Sequence, residues 1–125
     1  MIETKNLSKQ FKAPTEEKGL FGKKKKPFWA VKDLNFKIEK GKVASILGPN
    51  GCGKTTTLRM IAGMLTPSKG TAFVDDIDVR KDKQGVKSKI GYMTNNTSLY
   101  DRLNVLETIK FFAELNQIPE DIYKP

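Results

Sequence analysis

The sequence predicts an α/β fold, and three features point to it. Segments with strand character alternate with segments of helical period. A glycine-rich turn is entered from an apolar run and left through an amphipathic stretch. A second helical stretch carries its own N-terminal cap. At 125 residues, with 38% hydrophobic and 30% charged residues, the chain has the size and balance of one folded domain, not of a disordered polymer.

The elements follow in order. Residues 2–7 (IETKNL) and 33–38 (DLNFKI) alternate apolar and polar side chains, as strands with one face in a core do. Between them, Lys12 to Phe28 (KAPTEEKGLFGKKKKPF) is rich in Lys, Gly and Pro and has no period, so 12–28 reads as an exposed basic insertion loop and not as a domain. VASIL, at 43–47, is a continuous apolar run, the pattern of a strand covered on both faces. From Gly53, GKTTTLRMIAGML sets Leu58, Ile61, Ala62 and Leu65 on one helical face, and Pro67 ends the pattern. Gly70 to Val79 reads as two short strands around an Asp75–Asp76 turn, and Lys89 to Met93 (KIGYM) as a further strand. Asn104 is an N-cap with Glu107 placed to reach back to it. Val105, Ile109 and Phe112 then share a face of a helix that ends near Asn116, before Pro119.

Composition removes several function classes. With no histidine and the single cysteine Cys52, the chain forms no internal disulfide, no His/Cys metal site and no histidine-based catalytic centre. The apolar runs VASIL and MIAGML fall far short of the roughly 20 residues a membrane-spanning helix needs, and MIETKNL has no secretory pattern; a cytoplasmic location is expected. The net charge of +9 is spread along the chain apart from the tetralysine Lys23–Lys26, which is read as a solvated surface. No basic helix, zinc finger or aromatic-basic RNA motif accompanies it, so a nucleic-acid partner is not expected.

The chemistry concentrates at Gly48-Pro49-Asn50-Gly51-Cys52-Gly53-Lys54-Thr55. It fits G-x-x-x-x-G-K-[ST] and stands between a strand-like run and a helix, the context such a loop requires. Its glycines let consecutive backbone N–H groups turn toward phosphate oxygens, and the following helix adds the positive end of its dipole. Lys54 is then placed for the β- and γ-phosphates, Thr55 for Mg²⁺, and Thr56 adds a hydroxyl near the phosphates. AFVDD (Ala72–Asp76) looks like the apolar run and acid that supply a Mg²⁺ aspartate elsewhere. It follows the loop helix too closely to allow a crossover to another core strand, and is read as a hairpin turn.

The succession KNLSKQF, then AVKDLNFKIEKGKVASILGPNGCGKTTTLRMIAGMLTPSKGTAFVDDIDV, then KIGYMTNNTSLYDRLNVLETIKFF resembles the N-terminal part of an ABC transporter ATP-binding subunit, over 1–125. GYMTNNTSLYDRLNVLET is similar to subunits serving ABC-2-type sodium-efflux and drug-efflux systems. The resemblance implies a P-loop NTPase fold of the ABC type, with a partial parallel core sheet, an antiparallel β subdomain and the start of a helical subdomain.

The resemblance also implies ATP and Mg²⁺ as ligands, a transmembrane permease subunit and a second ATPase subunit as partners, and a site peripheral to the inner face of the cell membrane. By the same resemblance Phe11 stacks on adenine, with Phe28 or Trp29 as substitutes. Asn95 stands where most members carry a glutamine that touches Mg²⁺ and the attacking water; being one methylene shorter, it reaches the metal through a bridging water. The signature motif, the catalytic glutamate and the switch histidine of the family have no counterpart in these residues. The 125-residue chain alone is therefore expected to bind nucleotide weakly, to self-associate and not to hydrolyse ATP. A nucleotide-binding module without turnover, and a soluble ABC ATPase acting on ribosome or DNA, remain the alternatives to an export ATPase.

Overall fold

A computed structural model describes residues 1–12, 27–93 and 102–123. The chain divides into two compact units, Met1–Tyr92 and Met93–Pro125.

The first unit is organised by an antiparallel sheet. Strand β1 (Ile2–Phe11) lies between β2 (Phe28–Ile38) and β3 (Lys69–Val74), and β4 (Ile77–Asp78) closes the far edge, in the order β2-β1-β3-β4. Ile2 pairs with Ile38 on one side and Val74 on the other, which sets the register at one end; Phe11 opposite Phe28 sets it at the other. β1 and β2 thus run well beyond the alternating stretches 2–7 and 33–38. The added residues, SKQF and FWAVK, extend the strands despite a weaker side-chain pattern.

The β1–β2 register shifts at three places, between the Thr4 and Leu7, the Leu7 and Lys9, and the Lys9 and Gln10 pairs. Asn6 and Asp33, within the first two of these, both adopt positive φ. The backbone groups freed there are taken by side chains: the Asn6 N–H donates to Asn35 Oδ1 at 2.8 Å and the Asp33 N–H to Ser8 Oγ at 2.9 Å. Opposite Asn6, Gly70 sits at φ 65°, where a Cβ would collide with the carbonyl oxygens of Lys5 and Asn6.

The Asp75–Asp76 turn forms as the sequence indicates. Both residues have positive φ (44° and 66°) and join Val74 to Ile77, a two-residue hairpin connection of the type whose twist matches the strands. The carboxylates serve the turn: Asp75 Oδ1 accepts from the Met1 ammonium at 2.6 Å.

Helix α1 (Lys54–Ile61) covers one face of the sheet. Its buried residues are Thr57, Met60 and Ile61, followed by Ala62, and they close on Leu7, Val31, Ala72 and Val74. The expected face through Leu58 is rotated by about one position. Leu58 is 45% exposed, while the flexible Met60 is fully enclosed. Burying one such side chain stabilises a fold by about 1.5–3 kcal/mol.

The parallel part of the expected sheet is where the structure differs. Among the described residues every strand pair is antiparallel, and 43–47 belongs to no ladder. Val43 is 99% and Leu47 90% exposed. A strand exists through hydrogen bonds to a neighbour, and the described residues offer none here, so hydrophobicity alone leaves VASIL outside any ladder.

The segment 89–93 also departs from the expected strand. A helix unmarked by the hydrophobic pattern, α2 (Lys83–Lys89), takes Lys89. Asp82 caps it by accepting from the Gly85 N–H at 2.7 Å, and Val86 anchors it in the core. Ile90 packs against that core without ladder partners.

The second unit holds α3 (Val105–Leu115) and the short α4 (Glu120–Tyr123). The capping box is present as read: the Glu107 N–H donates to Asn104 Oδ1 at 2.9 Å, and the Asn104 N–H to Glu107 Oε2 at 2.8 Å. Asn116 ends the helix at the expected place. Of its residues only Ala113 is buried, whereas Val105, Ile109 and Phe112, the expected apolar face, are exposed.

Candidate phosphate-binding site

The glycine loop leads from the end of the 43–47 segment into α1. Gly53 is the residue that makes this junction possible. It caps α1 in the left-handed region (φ 97°, ψ 5°), and a Cβ there would strike the Ala30 carbonyl oxygen and stand 3.0 Å from Val31 Cγ2. The loop is therefore pressed against β2 at a point only glycine fits.

That geometry leaves the helix N-terminus open. Gly53 has no side chain to cap with, and no other side chain accepts from the first turn of α1. The first amide of α1 with an acceptor is that of Thr57, on the Gly53 carbonyl at 2.8 Å. The amides ahead of it, with the positive end of the helix, face a cleft of about 180 Å³ lined by Asn50, Gly51, Gly53, Lys54, Thr55 and Thr56. That is a concave set of N–H donors and hydroxyls with one cation, suited to a polyanion and not to an apolar ligand.

Lys54 completes the loop from within. Its Nζ donates to the Gly48 carbonyl and to the Pro49 carbonyl at 2.7 Å, and lies 3.9 Å from Cys52 Sγ. The ammonium thus satisfies loop carbonyls on the exposed surface, where exchange for a phosphate oxygen requires only a change of rotamer. Cys52 is exposed, its N–H on the Pro49 carbonyl at 3.4 Å.

Of the residues singled out in the sequence, Asn50, Gly51, Gly53, Lys54, Thr55 and Thr56 line one cleft, while Gly48, Pro49 and Cys52 belong to the same loop without lining it. Phe11 lies at the end of β1, with its ring centroid 5.9 Å from that of Phe28. Asn95 lies outside the described residues. What the pattern did not reveal is the contact of Gly53 with the Ala30 carbonyl and the Val31 side chain, against which the loop packs. The Phe11–Phe28 pairing was equally hidden, because the alternating pattern of β2 begins only at Asp33 while the strand begins at Phe28.

For Mg²⁺ the donor set is limited but of the right kind. No group of three or more carboxylate, histidine or cysteine residues placed to hold a metal occurs among the described residues. Thr55 offers a hydroxyl oxygen at the cleft, which suits a hard ion that keeps waters and is held mainly by the phosphates it accompanies.

Comparison with known proteins agrees with this geometry. The family described as ABC transporter matches residues 31–124. The ABC transporter ATP-binding protein NatA of Bacillus subtilis (strain 168) is 48% identical over 96 residues, covering 76% of this chain and 39% of that protein. The probable multidrug ABC transporter ATP-binding protein YbhF of Escherichia coli (strain K12) is 34% identical over 113 residues, 90% of this chain and 17% of its own length. Among solved structures, the dimeric ATP-binding cassette MJ0796 in a post-hydrolysis state bound to ADP and Pi superposes with a TM-score of 0.72 at 27% identity, over 93% of this chain and 48% of that one. The chain therefore spans less than half the length of these relatives. Loop, cap and sheet agree with the match over 31–124, and the chain belongs to the ABC transporter family, carrying the phosphate-loop part of its ATP-binding cassette.

Proposed function

We propose that this chain is the ATP-binding portion of an ABC exporter ATPase, which couples ATP hydrolysis to movement of ions or drugs through a separate transmembrane permease subunit. The observation that carries the proposal is the open α1 N-terminus: amides without acceptors, a left-handed glycine cap and a single lysine around one cleft. The 48% identity to the ABC transporter ATP-binding protein NatA supports an ATP-binding subunit of a transporter, the likeness to the probable multidrug ABC transporter ATP-binding protein YbhF supports a drug-type cargo, and the ADP- and Pi-bound cassette supports ATP turnover.

Each residue has a definite task in this reading. Gly48, Pro49, Asn50, Gly51, Cys52 and Gly53 wrap the β-phosphate, all but Pro49 offering a backbone N–H, while Lys54 leaves the loop carbonyls for the β- and γ-phosphate oxygens. Thr55 would hold Mg²⁺, with Asn95 as a further partner of the ion, and Thr56 would bond a phosphate oxygen. Bound there, Mg²⁺ neutralises charge that develops on the transferred phosphoryl group. Phe11 belongs to the aromatic surface for adenine. A second ATPase subunit pairs with this one in the presence of ATP, and the assembly lies against the inner face of the membrane. Among the described residues no helix is long and apolar enough to cross a membrane.

In a complete cassette carrying these residues, Lys54→Ala is expected to abolish phosphate release from ATP while leaving the circular dichroism spectrum unchanged. Lys54 is half-buried and bonds only groups of its own loop, so its removal leaves the helices and the sheet in place. Retained turnover in the purified variant refutes the assignment.

A further inference from the structure

The turn that carries the chain from α1 to β3, residues 62–68, is firmly held. The Arg59 carbonyl accepts from the Met64 N–H at 2.9 Å and the Leu65 N–H at 3.0 Å, Leu65 packs against the core, Pro67 is buried, and the Ser68 N–H donates to the Ser8 carbonyl at 2.8 Å. Two lysines from other elements meet on it. Lys9 Nζ, from β1, donates to the Thr66 carbonyl at 2.7 Å, and Lys83 Nζ, from α2, to Thr66 Oγ1 at 2.8 Å. Lys87 follows Lys83 by one helical turn, and the Lys83 backbone and Val86 lie alongside Gly63. Arg59, in the last turn of α1, is a further exposed cation.

No acid balances this group. The sequence has no carboxylate between Glu39 and Asp75, and Asp82 is engaged by its own helix, accepting from the Gly85 N–H at 2.7 Å. None of the ion pairs among the described residues includes Lys9, Arg59, Lys83 or Lys87. Cations gathered without counter-charges set up a positive potential that draws an anion. On the same turn Met64 keeps 51% of its surface exposed, although the backbone on both sides of it is fixed.

Cations beside a projecting apolar side chain fit the surface of an anionic bilayer, where the ammonium groups meet phosphates and the thioether reaches below them. A nucleic-acid backbone would use the cations and leave Met64 without a partner. We propose that the 62–68 turn, with Lys9, Arg59, Lys83 and Lys87, is a contact surface for anionic phospholipid headgroups. It lies at the end of α1 away from the phosphate cleft and does not depend on the nucleotide reading.

The test is co-sedimentation of the chain with vesicles of equal parts phosphatidylglycerol and phosphatidylcholine, and with vesicles of phosphatidylcholine alone. Binding to the anionic vesicles only, weakened by salt, is expected. Lys83→Gln combined with Lys87→Gln is expected to lower the partition coefficient by about tenfold or more, each lysine near such a surface being worth about fivefold. Lys23→Gln combined with Lys24→Gln removes the same charge from the insertion loop and is expected to lower it by no more than about twofold. Because Lys83 also bonds Thr66, Lys87→Glu alone guards against an effect on the fold; it is expected to weaken binding with an unchanged circular dichroism spectrum. Met64→Gln is expected to weaken binding too, which charge alone does not explain. Equal losses in the two double variants, or an unchanged partition in Lys87→Glu, overturn the assignment by showing that net charge and not this turn holds the vesicle. Tighter binding to duplex DNA than to the anionic vesicles at one ionic strength, with Met64→Gln without effect, overturns it in favour of a nucleic-acid partner.

Discussion

Two apolar stretches of the first unit meet opposite fates. In β1 and its neighbours, Leu7, Val31, Ala72 and Val74 are buried beneath α1, whereas Val43 and Leu47, in a run at least as hydrophobic, stand almost wholly in solvent. Both stretches have the residue types of strands. The difference is backbone partners: β1 has one on each side, and 43–47 has none among the described residues. Apolar side chains make a strand worth forming, but a ladder decides whether it forms.

The comparison is sharpest in a pair of equal substitutions. Leu7→Ala empties a fully enclosed site and is expected to destabilise the chain by about 2–5 kcal/mol. Leu47→Ala, at an exposed site, is expected to change stability by no more than about 0.5 kcal/mol. Urea unfolding of both variants measures the two effects. Sedimentation of the unaltered chain and of Leu47→Lys adds a second reading: bare apolar residues on an unpaired strand invite association, which a charge opposes. Equal losses in the two alanine variants would contradict the contrast, showing that 43–47 is packed in solution.

A smaller effect belongs to the well-paired region. Burial at the β4 edge acts to raise the Asp78 carboxyl pKa. Hydrogen bonds from Thr71 Oγ1 at 2.6 Å and the Arg80 N–H at 2.8 Å, with the nearby Lys81 and Arg80 charges, act against it and leave the group below its ordinary value. A carboxyl depressed in the folded state stabilises that state fully above its unfolded pKa of about 3.9, and the contribution disappears as pH falls through the folded value. Acid unfolding of Asp78→Asn is therefore expected to show a shallower pH dependence below about pH 4 than the unaltered chain. Identical slopes would mean that the Thr71 and Arg80 bonds do not persist in solution.

How much of this was legible in the sequence follows the same division. The loop from Gly48 to Thr56, the Asp75–Asp76 turn and the Asn104–Glu107 box are local devices, each fixed by residues close in the chain, and each stands where the sequence places it. The ends of β1 and β2, the capped helix α2 and the unpaired state of 43–47 depend on what lies alongside in space, to which periodicity is blind. Met60, not Leu58, enters the core because the sheet below decides which side of α1 is covered. The Ala30 carbonyl against Gly53 has no signature at all, since it is a backbone contact between residues far apart in sequence.

The central claim is that the cleft around Lys54 takes the phosphates of ATP. Cys52 reports on it directly, being exposed within the loop and 3.9 Å from Lys54 Nζ. The rate at which a thiol reagent modifies Cys52 should fall as Mg-ATP is added, saturating with occupancy, and Lys54→Ala should remove that protection. Modification at one rate with and without Mg-ATP would contradict the account.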